Sequence, residues 1–155
     1  MKRAITAFVD DANEWVAILD CLHRQHVRHR PPFRTAPWVR DDAAREARIG
    51  TDLDCPLCDR TELPDGLEVV RRTDTWDAET VPVGLRRDHR VGAGTWGLLH
   101  VVAGEVRFQA RTTPPTDVVV AGRMQPIPPG VEHHVEPTSD ARFYVEFLRP
   151  PAHTS

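Results

Sequence analysis

Four residues among the first 60 of the chain have the types and spacing of a zinc site. All three cysteines lie there: Cys21 precedes His23 by two residues, while Cys55 and Cys58 form a C-x-x-C. A structural zinc ion is held by four thiolate or imidazole ligands at the corners of a tetrahedron. The C-x-x-C turn supplies two thiolates, and Cys21 with His23 would supply the second pair. The spacing therefore predicts one structural zinc ion.

Two further histidines, His26 and His29, compete with His23 for the fourth position. If the chain from Gln25 onward is a strand, His26 and His29 point to opposite faces, so at most one of them could join the site. We favour His23 because it is nearest to Cys21. The alternatives are a core cysteine beside solvated histidines, or a thioredoxin-like redox pair. The redox reading is weaker because the C-x-x-C does not lie in a βαβ pattern.

The residues from Arg3 to Cys58 also resemble a small, uncharacterised bacterial family. The resemblance rests on an Arg-Ala-Ile-Thr start, the histidine-rich segment that begins at Cys21, a Trp-Val pair and the C-x-x-C; these are Arg3–Thr6, Cys21–Pro32, Trp38–Val39 and Leu53–Cys58. It implies that the cysteines and the histidine act as one unit. It implies no activity.

A second candidate site lies in the other half of the chain. Gly122, five residues and then Pro128-Pro129-Gly130 before His133 fit the second cupin motif, G-x5-P-x-G-x2-H. The prolines and glycine form a sharp turn that needs no ladder donors, and the next strand starts with an imidazole. Residues 63–149 resemble the small cupin domain of TehB-like tellurite-resistance proteins. The matching residues are Arg72-Thr73, Val81-Pro82, Gly84-Leu85, Asp88-His89, Gly94, Trp96-Gly97, Val101, Gly104-Glu105, Ile127–Pro129, His133, Val135-Glu136 and Arg142-Phe143.

This resemblance implies a metal ion, zinc or non-haem iron, on His89 and His133. His89 holds the first histidine position of the other cupin motif, but Val91 replaces the second histidine, and Trp96 or Gly97 stands where a glutamate is usual. Two ligands would leave open positions for water or a ligand. Both histidines could instead be wall residues.

Other polar residues of this half could supply a third metal ligand or could have no part in the site. His100 is expected to be a wall residue with a smaller chance of ligation, and Glu146 could supply an oxygen or an exposed salt bridge. His134 should face away from His133, since neighbouring residues of a strand point to opposite faces.

The elements that must position these residues are mostly strands. Strand-like runs cover 4–9 and 14–19, and 41–48 is a short helix with acidic residues first and arginines last. In the second half, strand-like runs at 67–72, 98–102, 105–110, 117–120 and 142–148 alternate with Gly/Pro turns. The prediction is a mainly β chain: a Cys/His zinc module with one short helix (1–60), then a cupin barrel (61–155).

Composition narrows the function classes. The net charge of −3 gives no general case for nucleic acid. Arg24, Arg28, Arg30 and Arg34 could bind a phosphate or carboxylate, but acidic residues balance them, which favours a solvated surface. The N-terminus lacks the apolar run of a secretory signal, and no stretch has the length of a membrane span. A cytoplasmic location with reduced thiols is therefore expected.

The favoured function is non-enzymatic. The resemblance implies a metal-binding protein that tolerates or senses toxic oxyanions or other small molecules. A metal-dependent cupin oxygenase or hydrolase is the second reading, and a protein or nucleic-acid adaptor is the third. The methyltransferase half of the longer TehB-like proteins has no counterpart here, so methyl transfer is not expected. Bare sheet edges predict a homodimer through the second module.

Overall fold

The computed structural model describes residues 1–32, 34–110 and 117–152. The chain divides into two compact units, Met1–Pro56 and Leu57–Ser155. No helix in the described ranges is long and apolar enough to cross a membrane.

The first unit is a four-stranded antiparallel sheet with strand order β3-β2-β1-β4. Its strands are β1 (Lys2–Asp11), β2 (Glu14–Leu19), β3 (Arg24–Val27) and β4 (Asp52–Asp54). Strands β1 and β2 meet at Ala12 and Asn13, which have φ angles of 50° and 68°. Two left-handed residues in succession are typical of a two-residue hairpin turn whose twist matches that of the strands. The two strands predicted over 4–9 and 14–19 are confirmed.

One regular helix, α1 (Asp42–Arg48), follows a 3₁₀ turn over Pro37–Arg40. Asp41 caps α1, since its side chain accepts a hydrogen bond from the Ala44 amide at 2.9 Å. Arg45 is buried, donates to the Val39 carbonyl at 2.6 Å and stacks over Trp15 at 3.5 Å. The predicted short helix is confirmed, and its acidic start agrees with the helix dipole.

The second unit contains two antiparallel sheets. One has the order β5-β11-β6-β9 and the other β10-β7-β8. The strands are β5 (Glu68–Arg72), β6 (Trp96–Ala103), β7 (Glu105–Ala110), β8 (Asp117–Val120), β9 (Met124–Ile127), β10 (His133–Pro137) and β11 (Arg142–Arg149). A 3₁₀ turn covers Val83–Arg86, and a second short helix, α2 (Pro56–Asp59), carries the end of the C-x-x-C.

The core of the second unit lies between the inward faces of its strands. Trp96, Leu99, Val106 and Phe143 are fully buried there. Gly104 joins β6 to β7 with a φ of +65°, and a Cβ at this position would lie 2.8 Å from the backbone of Ala141. The chain therefore needs glycine at this turn. The mainly β fold is confirmed, while closure of the two sheets into a cupin barrel stays a prediction.

Candidate metal sites

The first site is built by two tight turns. Leu22, with a φ of 74°, reverses the chain after β2, and the Leu19 amide donates to the His23 carbonyl at 3.0 Å. This places Cys21 and His23 side by side. The Cys55 amide donates to the Met1 carbonyl at 2.7 Å, which holds the start of the C-x-x-C. Helix α2 is only one turn long, so Cys58 returns beside Cys55.

The ligand atoms of Cys21, His23, Cys55 and Cys58 all lie within 4.8 Å of one another, and all four residues are buried. The Cys21 and Cys55 sulfurs are 3.8 Å apart, and Cys55 Sγ lies 3.4 Å from His23 Nδ1. A tetrahedral ion with Zn–S bonds of about 2.3 Å would hold two sulfurs about 3.8 Å apart. None of the three cysteines forms a disulfide. The residues therefore fit a zinc ion, and the cluster could bind such a metal.

His26 and His29 lie outside this cluster. His26 Nδ1 contacts a Glu14 carboxylate oxygen at 3.0 Å, and His29 Nδ1 accepts a hydrogen bond from the Ala36 amide at 2.9 Å. Among the three alternatives left open by the sequence, the structure brings only His23 to the cysteines.

Of the four arginines between residues 24 and 34, two pair with an acidic residue. Glu14 contacts Arg28 at 3.1 Å and Arg30 at 3.4 Å. The hydrogen bond and charge of Arg28, helped by His26, hold the pKa of the Glu14 carboxyl below its usual range. Two of the four arginines therefore share one carboxylate.

The second site is a pair of histidines on adjacent backbone segments. His89 and His133 form an isolated antiparallel bridge in which each amide donates to the other residue's carbonyl at 2.9 Å. Their ring centroids are 4.0 Å apart. His133 is 2% exposed and lies against Phe108, whereas His89 is half-buried. The predicted pair therefore meets, although its members are 44 positions apart in the sequence.

The hydrogen bonds of the pair leave the same nitrogen available on both rings. His89 Nδ1 lies 3.1 Å from the Arg87 carbonyl, and His133 Nδ1 lies 3.0 Å from the Val131 carbonyl. A carbonyl oxygen only accepts hydrogen bonds, so each Nδ1 carries a proton, and in a neutral imidazole ring Nε2 then has the lone pair. This is the arrangement in which a histidine ligates a metal through Nε2 while a carbonyl orients its ring.

Burial also keeps His133 in its neutral form. Loss of solvation lowers the pKa of His133 from 6.5 to about 4, and the neighbouring His89 acts in the same direction. A neutral imidazole is the form that binds metals.

No third metal ligand joins the pair among residues 1–32, 34–110 and 117–152: the Cys/His cluster is their one group of three or more His, Cys, Asp or Glu ligand atoms within metal-binding distance. His100 lies opposite Tyr144 in the β6–β11 register, stacks on it at 4.6 Å and pairs with Glu146. These three side chains occupy the sheet face opposite Leu99 and Phe143, which line a cavity of about 40 Å³ with the histidine pair. The structure therefore removes His100 and Glu146 as ligand candidates.

His134 faces away from His133, as expected. Its Nδ1 contacts Asp88 at 2.9 Å, and its Nε2 lies 3.7 Å from Glu136. Trp96 and Phe108 are buried core aromatics.

Two protein families each match a different part of the chain. Residues 6–62 match the family described as "Protein of unknown function (DUF3565)", and residues 71–145 match the TehB-like domain. Residues 6–62 are therefore similar to the DUF3565 family and residues 71–145 to the TehB-like domain, and the two segments are called the DUF3565 domain and the TehB-like domain after these matches. The Cys/His cluster lies within the DUF3565 domain, and the histidine pair lies within the TehB-like domain. No curated protein sequence matches the chain.

The solved structures that are similar to the chain include one from E. coli and one from Haemophilus influenzae. One is a protein from E. coli strain K12, 24% identical, with a TM-score of 0.55 over 61% of this chain and 92% of that one. The other is TehB from Haemophilus influenzae, 21% identical, with a TM-score of 0.52 over 56% of this chain and 32% of that one. The match thus spans about a third of TehB. At these identities the likeness shows the fold alone.

Sequence reasoning missed a third set of residues. Arg71, Thr95 and Arg149 line a cavity next to His89. No motif joins them, because β5, the start of β6 and the end of β11 meet only through strand pairing.

Proposed function

We propose that this chain is a non-enzymatic metal-binding protein. Its DUF3565 domain would hold a structural zinc ion on Cys21, His23, Cys55 and Cys58. Its TehB-like domain would be a cupin barrel that holds a second, exchangeable metal on His89 and His133 and binds a small molecule or anion there. The observation that carries the proposal is the burial of four zinc-type ligand atoms within 4.8 Å of one another.

The chemistry of the first site supports a structural role. Three thiolates and one imidazole would fill all four positions of a tetrahedral zinc ion, which leaves none for a substrate. A buried site of this kind contributes to folding because the unfolded chain does not hold its ligands together.

The second site supports a binding role. Two imidazoles occupy at most two positions of a metal, so water or a ligand would complete the shell. Neutral imidazole ligands suit zinc, and non-haem iron is the alternative suggested by the cupin resemblance. The TehB-like match supports a relation to tellurite resistance. We therefore propose a role in tolerance or sensing of toxic oxyanions or related small molecules.

An oxygenase or hydrolase has less support. Metal catalysis of these types uses more protein ligands than the two imidazoles found together in the described part of the chain.

Metal analysis of the purified protein tests the proposal. We expect one zinc per chain that survives dialysis against a mild chelator, and a second metal that the chelator removes. Protein purified without any tightly held zinc would contradict the structural site. A chelator-labile metal that is required for turnover of a small substrate would favour the enzyme reading instead.

A further inference from the structure

A larger cavity opens beside His89 in the TehB-like domain. Its volume is about 500 Å³, and ten residues of the TehB-like domain and its flanks line it. Sites for small organic molecules usually have volumes of about 300–1,000 Å³. The cavity is therefore large enough for a small organic molecule as well as for a single inorganic ion.

The charged side chains that line this cavity are all arginines. Three arginines line it, and none of its ten lining residues is acidic. Arg90 is neutralised by Glu132 at 2.7 Å. Arg71 and Arg149 have no carboxylate within ion-pair distance among residues 1–32, 34–110 and 117–152, although Glu68 lies opposite Arg149 in the strand register. Two guanidinium groups therefore remain available to an anion.

Both guanidinium groups are held in place. Arg149 Nε donates to the Thr95 hydroxyl at 2.8 Å, and Thr95 is only 5% exposed. This bond uses the inner nitrogen of Arg149 and leaves the outer two nitrogens for a ligand. Arg71 lies 5.6 Å from the Phe147 ring and opposite Phe147 in the β5–β11 register. Arginines oriented in this way can bind carboxylates through two parallel hydrogen bonds.

The remaining wall is apolar. Val70, Leu85, Val91 and Phe147 line the cavity beside the arginines. An inorganic oxyanion would gain nothing from these side chains, whereas a ligand with an apolar body would bury surface against them. The combination of two cations and an apolar wall matches an amphipathic anion.

We infer that this cavity binds a small organic carboxylate, with its oxygens on Arg71 and Arg149 and its apolar body on Leu85 and Phe147. The inference rests on the ligand-binding role proposed above and names its ligand class and residues. His89 lines both this cavity and the smaller one that contains His133. A bound carboxylate would therefore lie next to the proposed metal.

The test is a titration of the full-length protein with benzoate at millimolar concentrations, followed through the amide resonances of Gly92 and Thr95. The binding variant is Arg71→Gln/Arg149→Gln. The matched control is Arg72→Gln/Arg142→Gln, which removes the same charge from the same two strands; Arg72 stacks on Tyr144 rather than lining the cavity. Sulfate and tellurite are titrated in parallel as inorganic oxyanions.

We expect saturable benzoate binding, with a Kd raised about ten-fold or more in the binding variant and little changed in the control. Absence of saturable shifts, or equal loss in both double variants, would overturn the inference. Sulfate or tellurite binding as tightly as benzoate would also overturn it, because the apolar wall would then contribute nothing.

Metal content separates this inference from the proposed function. Neither double variant should lose metal, because neither changes a proposed metal ligand. Benzoate binding in protein that holds no metal would leave the carboxylate site standing and contradict the metal proposal. Metal binding without benzoate binding would do the reverse.

Discussion

The two candidate sites differ in the number of ligands that the fold brings together. In the DUF3565 domain, four buried side chains converge, three of them thiols. In the TehB-like domain, two imidazoles converge, and the other two ligand candidates, His100 and Glu146, occupy the outer face of their own sheet. A complete ligand set encloses a metal, whereas an incomplete set leaves it accessible.

The two units also differ in the side chains that stabilise them. In the described part of the first unit, the largest fully buried apolar side chains are the aliphatic Ile5, Val16 and Leu19, and the buried Cys21 and His23 lie on a turn between strands. The second unit buries Trp96, Phe143 and Leu99 between its strands. A hydrophobic core of this kind does not need a metal. The comparison therefore predicts that metal removal unfolds the DUF3565 domain, which contains all four zinc ligands, and leaves the TehB-like domain folded.

The largest effect is expected from Cys55→Ser. The variant should lose the tightly held zinc and the stability that zinc contributes, roughly 10 kcal/mol in small zinc modules. Metal analysis and thermal unfolding measure the two losses. His23→Ala should behave similarly, whereas His26→Ala should retain zinc because His26 contacts Glu14 instead. Full zinc retention by Cys55→Ser would show that the cysteines are only core residues.

A smaller effect is expected at the histidine pair. His89→Ala and His133→Ala should each release the chelator-labile metal while the TehB-like domain stays folded. His133→Ala should lower the melting temperature more, because it leaves a cavity at a position only 2% exposed. His134→Ala is the control, since His134 faces Asp88. Unchanged metal content in both pair variants would identify the histidines as wall residues.

A pH dependence should follow from His133 when the pair holds no metal. The pKa of His133 is about 4 in the folded protein and 6.5 for an ordinary histidine. Above pH 6.5, both folded and unfolded states are neutral at this residue, so it adds no pH dependence. Below that value only the unfolded chain takes up the proton, so the free energy of unfolding should fall by about 3 kcal/mol as pH approaches 4.

Denaturant unfolding of the chelator-treated protein across this pH range measures the fall, and the His133 imidazole resonance reports its pKa directly. His133→Asn should remove this part of the slope. A pKa near 6.5 in the folded protein would mean that the ring is solvated rather than buried.

Disrupting the predicted homodimer should have the smallest effect on the metal content of either site. Every residue of β5 is exposed, and Val69 is 50% exposed on this sheet edge. Light scattering should give twice the chain mass, and Val69→Lys should return it to one chain without changing metal content, because edge lysines discourage strand pairing. A single-chain mass for the parent protein at micromolar concentration would contradict the prediction.

The sequence by itself determined the features that depend on short stretches of chain. The C-x-x-C, the Cys21–His23 pair and the Pro-Pro-Gly turn before His133 each lie within a few residues, where backbone geometry limits the conformations available. The hairpin at Ala12–Asn13 and the Asp41 helix cap are local in the same sense. Period-two alternation likewise predicted that His134 would face away from His133.

Only the tertiary structure decided which distant residues meet. Three histidines near Cys21 were open candidates, and the turn at Leu22 with the position of β3 left only His23 at the site. The β6–β11 register excludes His100 and Glu146 as metal ligands, because it places them on the other face of the sheet. The pairing of β5 with β11 brings Arg71 to the same cavity as Arg149. A register shift of one residue would exchange the two faces of a strand. The register depends on packing along the whole strand pair, so no short motif could reveal it.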